Sequence, residues 1–449
     1  MKKMTLKLLC AAFLAFAFTF VSCRKDAEIF KSKPAEYFDA KVATDWFEIF
    51  RTLTKKTAGF TPPVASRAFG YAGVAIYETV NPGMTNYQSL VGQLNQMPIL
   101  TTPDFQNLEY NWAIAANASM AFVARNFYAN MPADQLIGVQ NLEDANFKKL
   151  QQGVSQDVID RSKEWGLFVA KTIFEWSKMD GGHEGYLKNF PTNYVAPTGA
   201  GKWTPTFPKF QPAMQPFWGN NRTFIANCAV NTQPTFPIAY SESNTSLFNV
   251  AALEVYTTVK NLTPEQKATA LFWSDDPGVP GTPPGHMISV TTQVINQQNA
   301  GLAKAAEAYA KVGIAVSDAF VSCWKCKFQY NYLRPISFIR GKIDSTWTSV
   351  LATPPFPEYT SGHSVQSGAT AKVLSEMFGY NFAFSDNTHA TRTDIDGTPR
   401  AYKSFNAMAA EAGISRLYGG IHYREAIEKG TEQGTSVGEE VTKLTFKKK

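Results

Sequence analysis

The chain has 449 residues, enough for one large domain or two to three ordinary ones. With 44% apolar and 18% charged residues it can bury a sizeable core, which excludes an intrinsically disordered protein. The net charge of +6 falls to about +3 if Lys2, Lys3 and Lys7 leave with a leader, and no basic stripe interleaves with aromatics, so charge gives no case for a nucleic-acid partner.

The first predicted element is that leader. Lys2, Lys3 and Lys7 precede an apolar run from Leu8 to Val21, followed by Ser22-Cys23. A charged stretch, an apolar stretch and a small residue before cysteine form a signal peptide over residues 1–22. The pattern resembles a bacterial lipoprotein signal, with Cys23 as the lipidated first residue of an exported, periplasmic or outer-membrane-anchored protein. Past residue 23 no apolar run reaches the ~18 residues of a spanning helix, so contact with a membrane is expected only through the anchor.

Residues 23–40 read as a polar tether and 41–180 as an N-terminal helical part. Within it, Pro63 to Thr79 is rich in Ala and Gly with aromatics at helical spacing, which predicts close helix packing. Helices are also predicted over 110–130, 134–151 and 157–178. In the last, Trp165, Phe168, Val169, Ile173 and Trp176 are read as an apolar stripe. Residues 181–262 are dense in Gly, Pro, Asn and aromatics and read mainly as an irregular cover, ending in a helix over 246–260. A third part, 263–445, opens on Thr263-Pro264-Glu265-Gln266, a capping box with proline at the first helical position. Helices follow at 264–273, 286–298, 301–328, 365–378, 404–415 and 422–444, with a short hairpin within 380–400. No strand–helix alternation appears, so the predicted class is mainly α, with helical bundles and long irregular covering loops.

Cys228, Cys323 and Cys326 remain once Cys10 and Cys23 are set aside, too few for a disulfide framework. Cys323-Trp324-Lys325-Cys326 lacks a partner pair for zinc and a βαβ context for redox chemistry, so inert thiols on a helix are favoured over one disulfide.

Three clusters carry the chemistry. In Lys327-x6-Arg334-Pro335, Lys327 shares a helix face with Val316, Phe320 and Cys323, and Pro335 is read as stopping regular structure just past Arg334. A lysine held in line with apolar residues and the planar guanidinium beyond it can grip an anion. In Ser361-Gly362-His363, a stiff Pro354-Pro355-Phe356-Pro357 approach leads into a helix start. There free N–H groups and the helix dipole favour negative charge. In Ser415-Arg416-x5-His422, a second arginine and histidine flank Gly419-Gly420. Together they suit an oxyanion of phosphate or vanadate size, with one histidine on the central atom and one moving protons.

These motifs match the signature of the type 2 phosphatidic acid phosphatase and vanadium-dependent haloperoxidase superfamily. The resemblance implies Lys327, Arg334, Ser361, Gly362 and Arg416 as oxyanion ligands. It implies His422 as the apical ligand, to vanadium or as a phosphatase nucleophile, and His363 as the acid–base histidine. Trp324 and Phe356 resemble aromatic residues of a halide pocket. Asp276 resembles an acidic residue that pairs with Arg416, and Asp275 is an equal candidate. Family members usually have proline where Thr360 stands. Many also place Asp four residues after the second histidine to orient its ring; here that position is Ala426, and Glu425 is the substitute.

The first functional reading is oxidation of halide by peroxide with vanadate as cofactor. The alternative is an exported phosphomonoesterase that needs no cofactor, and the third is an oxyanion-binding protein without turnover, for which Ala426 is the best support. In the first two the partners are small molecules. Of the other histidines, His183 and His286 lie in Gly/Pro-rich covers with no role beyond a place near the site entrance, and His389 is expected to be exposed.

Overall fold

The computed structural model describes residues 32–275 and 281–448. The leader, Cys23 and Asp276 lie outside the described residues. Among those described are fourteen α-helices and one two-stranded antiparallel sheet. In chain order the helices are α1 Lys41–Lys56, α2 Pro62–Val80, α3 Trp112–Phe127, α4 Ala133–Leu150, α5 Gln156–Ser177, α6 Cys228–Asn231 and α7 Leu247–Lys260. They continue with α8 Pro264–Phe272, α9 Thr282–Gln297, α10 Leu302–Tyr330, α11 Pro335–Lys342, α12 Gly362–Phe378, α13 Phe405–Tyr418 and α14 Arg424–Thr442. Strands β1 (Phe384–Asp386) and β2 (Arg400–Tyr402) pair between α12 and α13. No helix among the described residues is long and apolar enough to cross a membrane.

Helix α10 is the axis. It packs along α2, and small residues set the distance. A Cβ on Gly73 would stand 2.3 Å from the carbonyl oxygen of Tyr309, and one on Gly313 would stand 2.7 Å from that of Phe69. Helices α12 and α14 approach in the same way, since a Cβ on Gly434 would lie 2.0 Å from the Val365 carbonyl. Backbones this close fix the start of α12, which carries Ser361 to His363, against α14, which His422 precedes. One continuous core runs from Ala35 to Phe446, and a smaller aromatic cluster with Phe248, Tyr332, Tyr359 and Tyr423 lies against it.

The predicted helices are found with shifted ends. Pro335 does not merely stop regular structure: it is the first residue of α11, with Arg334 as its N-cap. A missing N–H costs nothing at that position and the fixed φ suits a helix start. For the same reason α9 begins at Thr282 and takes Pro283 and Pro284 into its first turn, instead of beginning at His286. His422 does not start the last helix; Tyr423 caps it and Arg424 begins it. Cys228, Cys323 and Cys326 are buried free thiols, as expected of inert helix cysteines.

Candidate active site

The three clusters converge beneath a cavity of about 340 Å³ whose lining includes Trp324, Phe356, Gly362, His363, Arg416 and His422. Lys327, Arg334 and Ser361 lie behind it, each fully buried. The strap Pro354–Thr360 links these groups. Lys327 Nζ donates to the carbonyl oxygens of Pro357 (3.0 Å), Glu358 (2.9 Å) and Thr360. Arg334 Nε donates to the Phe356 carbonyl at 2.9 Å, and its Nη1 to the Ile421 carbonyl at 2.7 Å. The two cations thus hold the strap and the turn before His422 in place. Burial lowers the Lys327 ammonium to about 8 and the Arg334 guanidinium to about 10, so both readily accept a neighbouring anion.

His422 is positioned by a residue that sequence reasoning missed. Its Nδ1 lies 2.7 Å from Glu358 Oε1, which also accepts the Tyr423 N–H at 3.0 Å. Glu358 is fully buried, and burial pushes its carboxyl up to about 8 against the pull of Arg334 and Lys327. His422 Nε2 lies 3.2 Å from Arg334 Nη1, so the ring's lone pair faces the cations. Burial, then Arg334 and Lys327, hold the imidazole well below its usual range, hence neutral.

This corrects the assignment of Glu425, whose carboxylate accepts the Ile238 N–H at 2.9 Å instead of orienting His422. Ala426 therefore removes nothing the ring needs, and its carbonyl accepts the Ser361 N–H at 3.0 Å. Glu358 is 64 positions from His422, so no helical spacing links them; the only sequence signal was an acidic residue inside a proline-stiffened apolar strap. Thr360, where family members carry proline, donates its hydroxyl to Gln433 Oε1 at 2.6 Å, tying the strap to α14.

Ser361 is the N-cap of α12, and the N–H groups of Gly362 and His363 stand in its first turn, where no helical carbonyl reaches them. A Cβ on Gly362 would meet only the Trp324 ring, at 3.8 Å, so the space beside the helix start is open. Trp324 and Phe356 have ring centroids 4.9 Å apart and form the aromatic wall. Arg416 is buried; its Nε donates to Ser415 Oγ at 3.0 Å and its Nη2 to the carbonyl oxygens of Trp273 and Ala270.

His363 has a different carboxylate. Its Nε2 lies 3.3 Å from Asp275 Oδ2, without hydrogen-bond alignment. Burial, then Arg416, lowers this imidazole to about 4. Asp275 is thus placed against His363. Behind it stand His286 and His389, both fully buried, which corrects the expectation that His389 is exposed and His286 at an entrance. The β1–β2 connection is a long loop that folds inward, carrying His389 under α9, and a tight hairpin would have kept it outside. His183 lines a separate pocket with Arg67 and Phe174.

The residues fit an oxyanion of the expected kind. Arg334 Nη2 is buried with no hydrogen-bond partner among the described residues, the first-turn N–H groups of α12 border open space, and cationic groups converge on a neutral imidazole.

Known proteins resemble this chain in the same region and beyond it. A family model described as the VCPO second helical-bundle domain matches residues 307–448. The vanadium chloroperoxidase of Curvularia inaequalis is 27% identical over 140 residues, 26% of this chain and 23% of the relative, so the match spans under a quarter of that relative's length. Among solved structures, that of the first bacterial vanadium-dependent iodoperoxidase superposes with a TM-score of 0.82 at 35% identity, covering 91% of this chain and 97% of its own. A holo-type bacterial vanadium-dependent chloroperoxidase shares the fold, with a TM-score of 0.67 at 16% identity over 87% and 93% of the two chains.

Proposed function

The chain belongs to the vanadium-dependent haloperoxidase family, an enzyme family, and from that membership we propose that it oxidises a halide with hydrogen peroxide at a vanadate held against His422. The observation that carries this reading is the His422 geometry: Glu358 fixes Nδ1, so the lone pair on Nε2 faces Arg334 as a ligand atom. When bound, vanadate supplies the Lewis-acidic centre that activates peroxide for attack by halide.

The chain's own residues do the rest. Lys327, Arg334 and Arg416 offset the oxyanion's charge, and Ser361 and the first-turn N–H groups at Gly362 supply neutral donors. His363, neutral near pH 7, accepts and returns a proton at the cavity floor. Trp324 and Phe356 make a wall that strips water from what enters. Such a wall favours the halide that sheds water most easily, so iodide is the proposed substrate, ahead of bromide and chloride. The relatives do not favour the phosphomonoester alternative, and the Glu358 contact removes the main support for a protein without turnover.

The test is to add orthovanadate to purified protein and follow iodide and bromide oxidation by peroxide, with phosphate release from a phosphomonoester in parallel. Vanadate-dependent iodide oxidation is expected. Phosphate release that vanadate inhibits, with no halide oxidised, overturns the reading. We likewise propose export and lipidation at Cys23, supported by the order of basic, apolar and Ser22-Cys23 segments. Mass spectrometry of the N-terminal peptide from the native host tests this, and an unlipidated Cys23 refutes it.

A further inference from the structure

Beneath His363 lies a second polar cluster, of which only Asp275 faces the halide site. One oxygen of Asp275 and one ring nitrogen each of His286 and His389 lie within 4.8 Å of one another, and all three residues are fully buried. They come from three places in the chain: the segment after α8, the first turns of α9, and the loop between β1 and β2. His286 Nδ1 is 2.9 Å from Asp275 Oδ1, and His389 Nε2 is 3.5 Å from the same oxygen. On its far side His286 Nε2 lies 2.8 Å from Asp386 Oδ2. Asp386 is itself held by the Thr388 N–H at 2.9 Å. Trp273 stacks on His286 with centroids 4.4 Å apart, and Phe272 meets His389 edge-on at 4.8 Å, so the cluster sits in an apolar shell.

Two explanations compete. In the first, His286 is an imidazolium bridging the two carboxylates and nothing else is needed. That accounts for His286 but not for His389, neither of whose ring nitrogens finds a hydrogen-bond partner among the described residues, although Nε2 stands 3.5 Å from Asp275 Oδ1. Buried polar atoms left unpaired are costly and call for a partner. In the second, the partner is a cation. A divalent ion would neutralise Asp275 and Asp386 with both histidines uncharged. His286 would then bind through Nδ1 and keep its one proton on Nε2 for Asp386, the carboxylate–histidine–metal arrangement in which an outer carboxylate fixes tautomer and ring orientation.

We propose that Asp275, His286 and His389 form a second cation site, distinct from the oxyanion cradle, that takes a first-row divalent ion of the zinc type. Two imidazoles and one carboxylate suit zinc and its neighbours and are too nitrogen-rich for calcium or magnesium. The ion ties the β1–β2 loop to α9 and shares Asp275 with His363, so it also anchors the carboxylate behind the acid–base residue.

The proposal does not depend on the halide reading, and its test reads metal directly. The full chain, purified without chelator or metal-affinity resin, is analysed by elemental mass spectrometry before and after incubation with zinc sulfate. Close to one zinc-type ion per chain is expected, counted separately from vanadium. His389→Ala should lose it, and Asp386→Asn should bind zinc about 10- to 100-fold more weakly. Cobalt(II) reconstitution of the unaltered protein, which needs no variant to fold, should give visible d–d absorption that zinc displaces. The proposal is overturned, and the imidazolium bridge stands, if unaltered protein holds no divalent ion after incubation. It is equally overturned if folded His389→Ala retains the metal and the cobalt spectrum.

Discussion

The two histidines of the site each face a buried carboxylate, and the two pairings differ. His422 and Glu358 are 2.7 Å apart and aligned, and the carboxylate also takes a backbone N–H from the residue after the histidine. His363 and Asp275 are 3.3 Å apart and unaligned, and the carboxylate is shared with His286 and His389. The first pairing locks one tautomer and presents one lone pair, as a ligand requires. The second leaves the ring free to exchange a proton, as an acid–base group requires. On the proposed reading, one residue type takes two roles according to how tightly its carboxylate is aimed.

Breaking the tight pair should have the largest effect. His422→Ala is expected to abolish vanadate binding and vanadate-dependent halide oxidation together, measured by equilibrium dialysis and by turnover. On the loose side, His363→Ala should lower kcat roughly 10²–10⁴-fold and leave vanadate affinity within a few fold. A parallel loss of affinity would show that His363 is a ligand and erase the contrast. Glu358→Gln keeps the shape but weakens the hold on Nδ1, and should reduce vanadate affinity by about 10- to 100-fold. The same change at Glu425 should leave affinity unchanged, since its carboxylate serves the Ile238 N–H.

A further effect is read by pH. In vanadate-free protein His363 titrates near 4, against 6.5 ordinarily, so the unfolded chain binds more protons between those values. Stability therefore falls as pH drops from 6.5 toward 4, by about 3 kcal/mol at most. His363→Gln should reduce but not remove the pH dependence of the denaturation midpoint over that window, because His422 is also held below its usual range, and an unchanged slope would place the acid sensitivity elsewhere. Smallest of all, Thr360→Val removes a hydroxyl bond to Gln433 and should cost about 1–3 kcal/mol of stability, because it strands a buried amide oxygen.

Much was legible in the chain. Apolar spacing and the Ala/Gly content of Pro63 to Thr79 predict a helix packed at close range, and Gly73 against Tyr309 shows that contact. The candidate oxyanion residues could be picked out because their order along the chain is local: a cation on a helix end, a serine cap with glycine, an arginine shortly before a histidine. These features depend on neighbours within a few residues, where covalent geometry limits the choices. Glu358, Asp275, His286 and His389 were not readable in their roles. Glu358 meets a histidine 64 positions away, and His389 is buried only because a loop of the sheet turns inward beneath α9. Sequence alone determined which residues could bind an anion. Tertiary packing decided which carboxylate aims each histidine, because that choice is made by long-range contacts whose partners share no spacing, only a common dry interior.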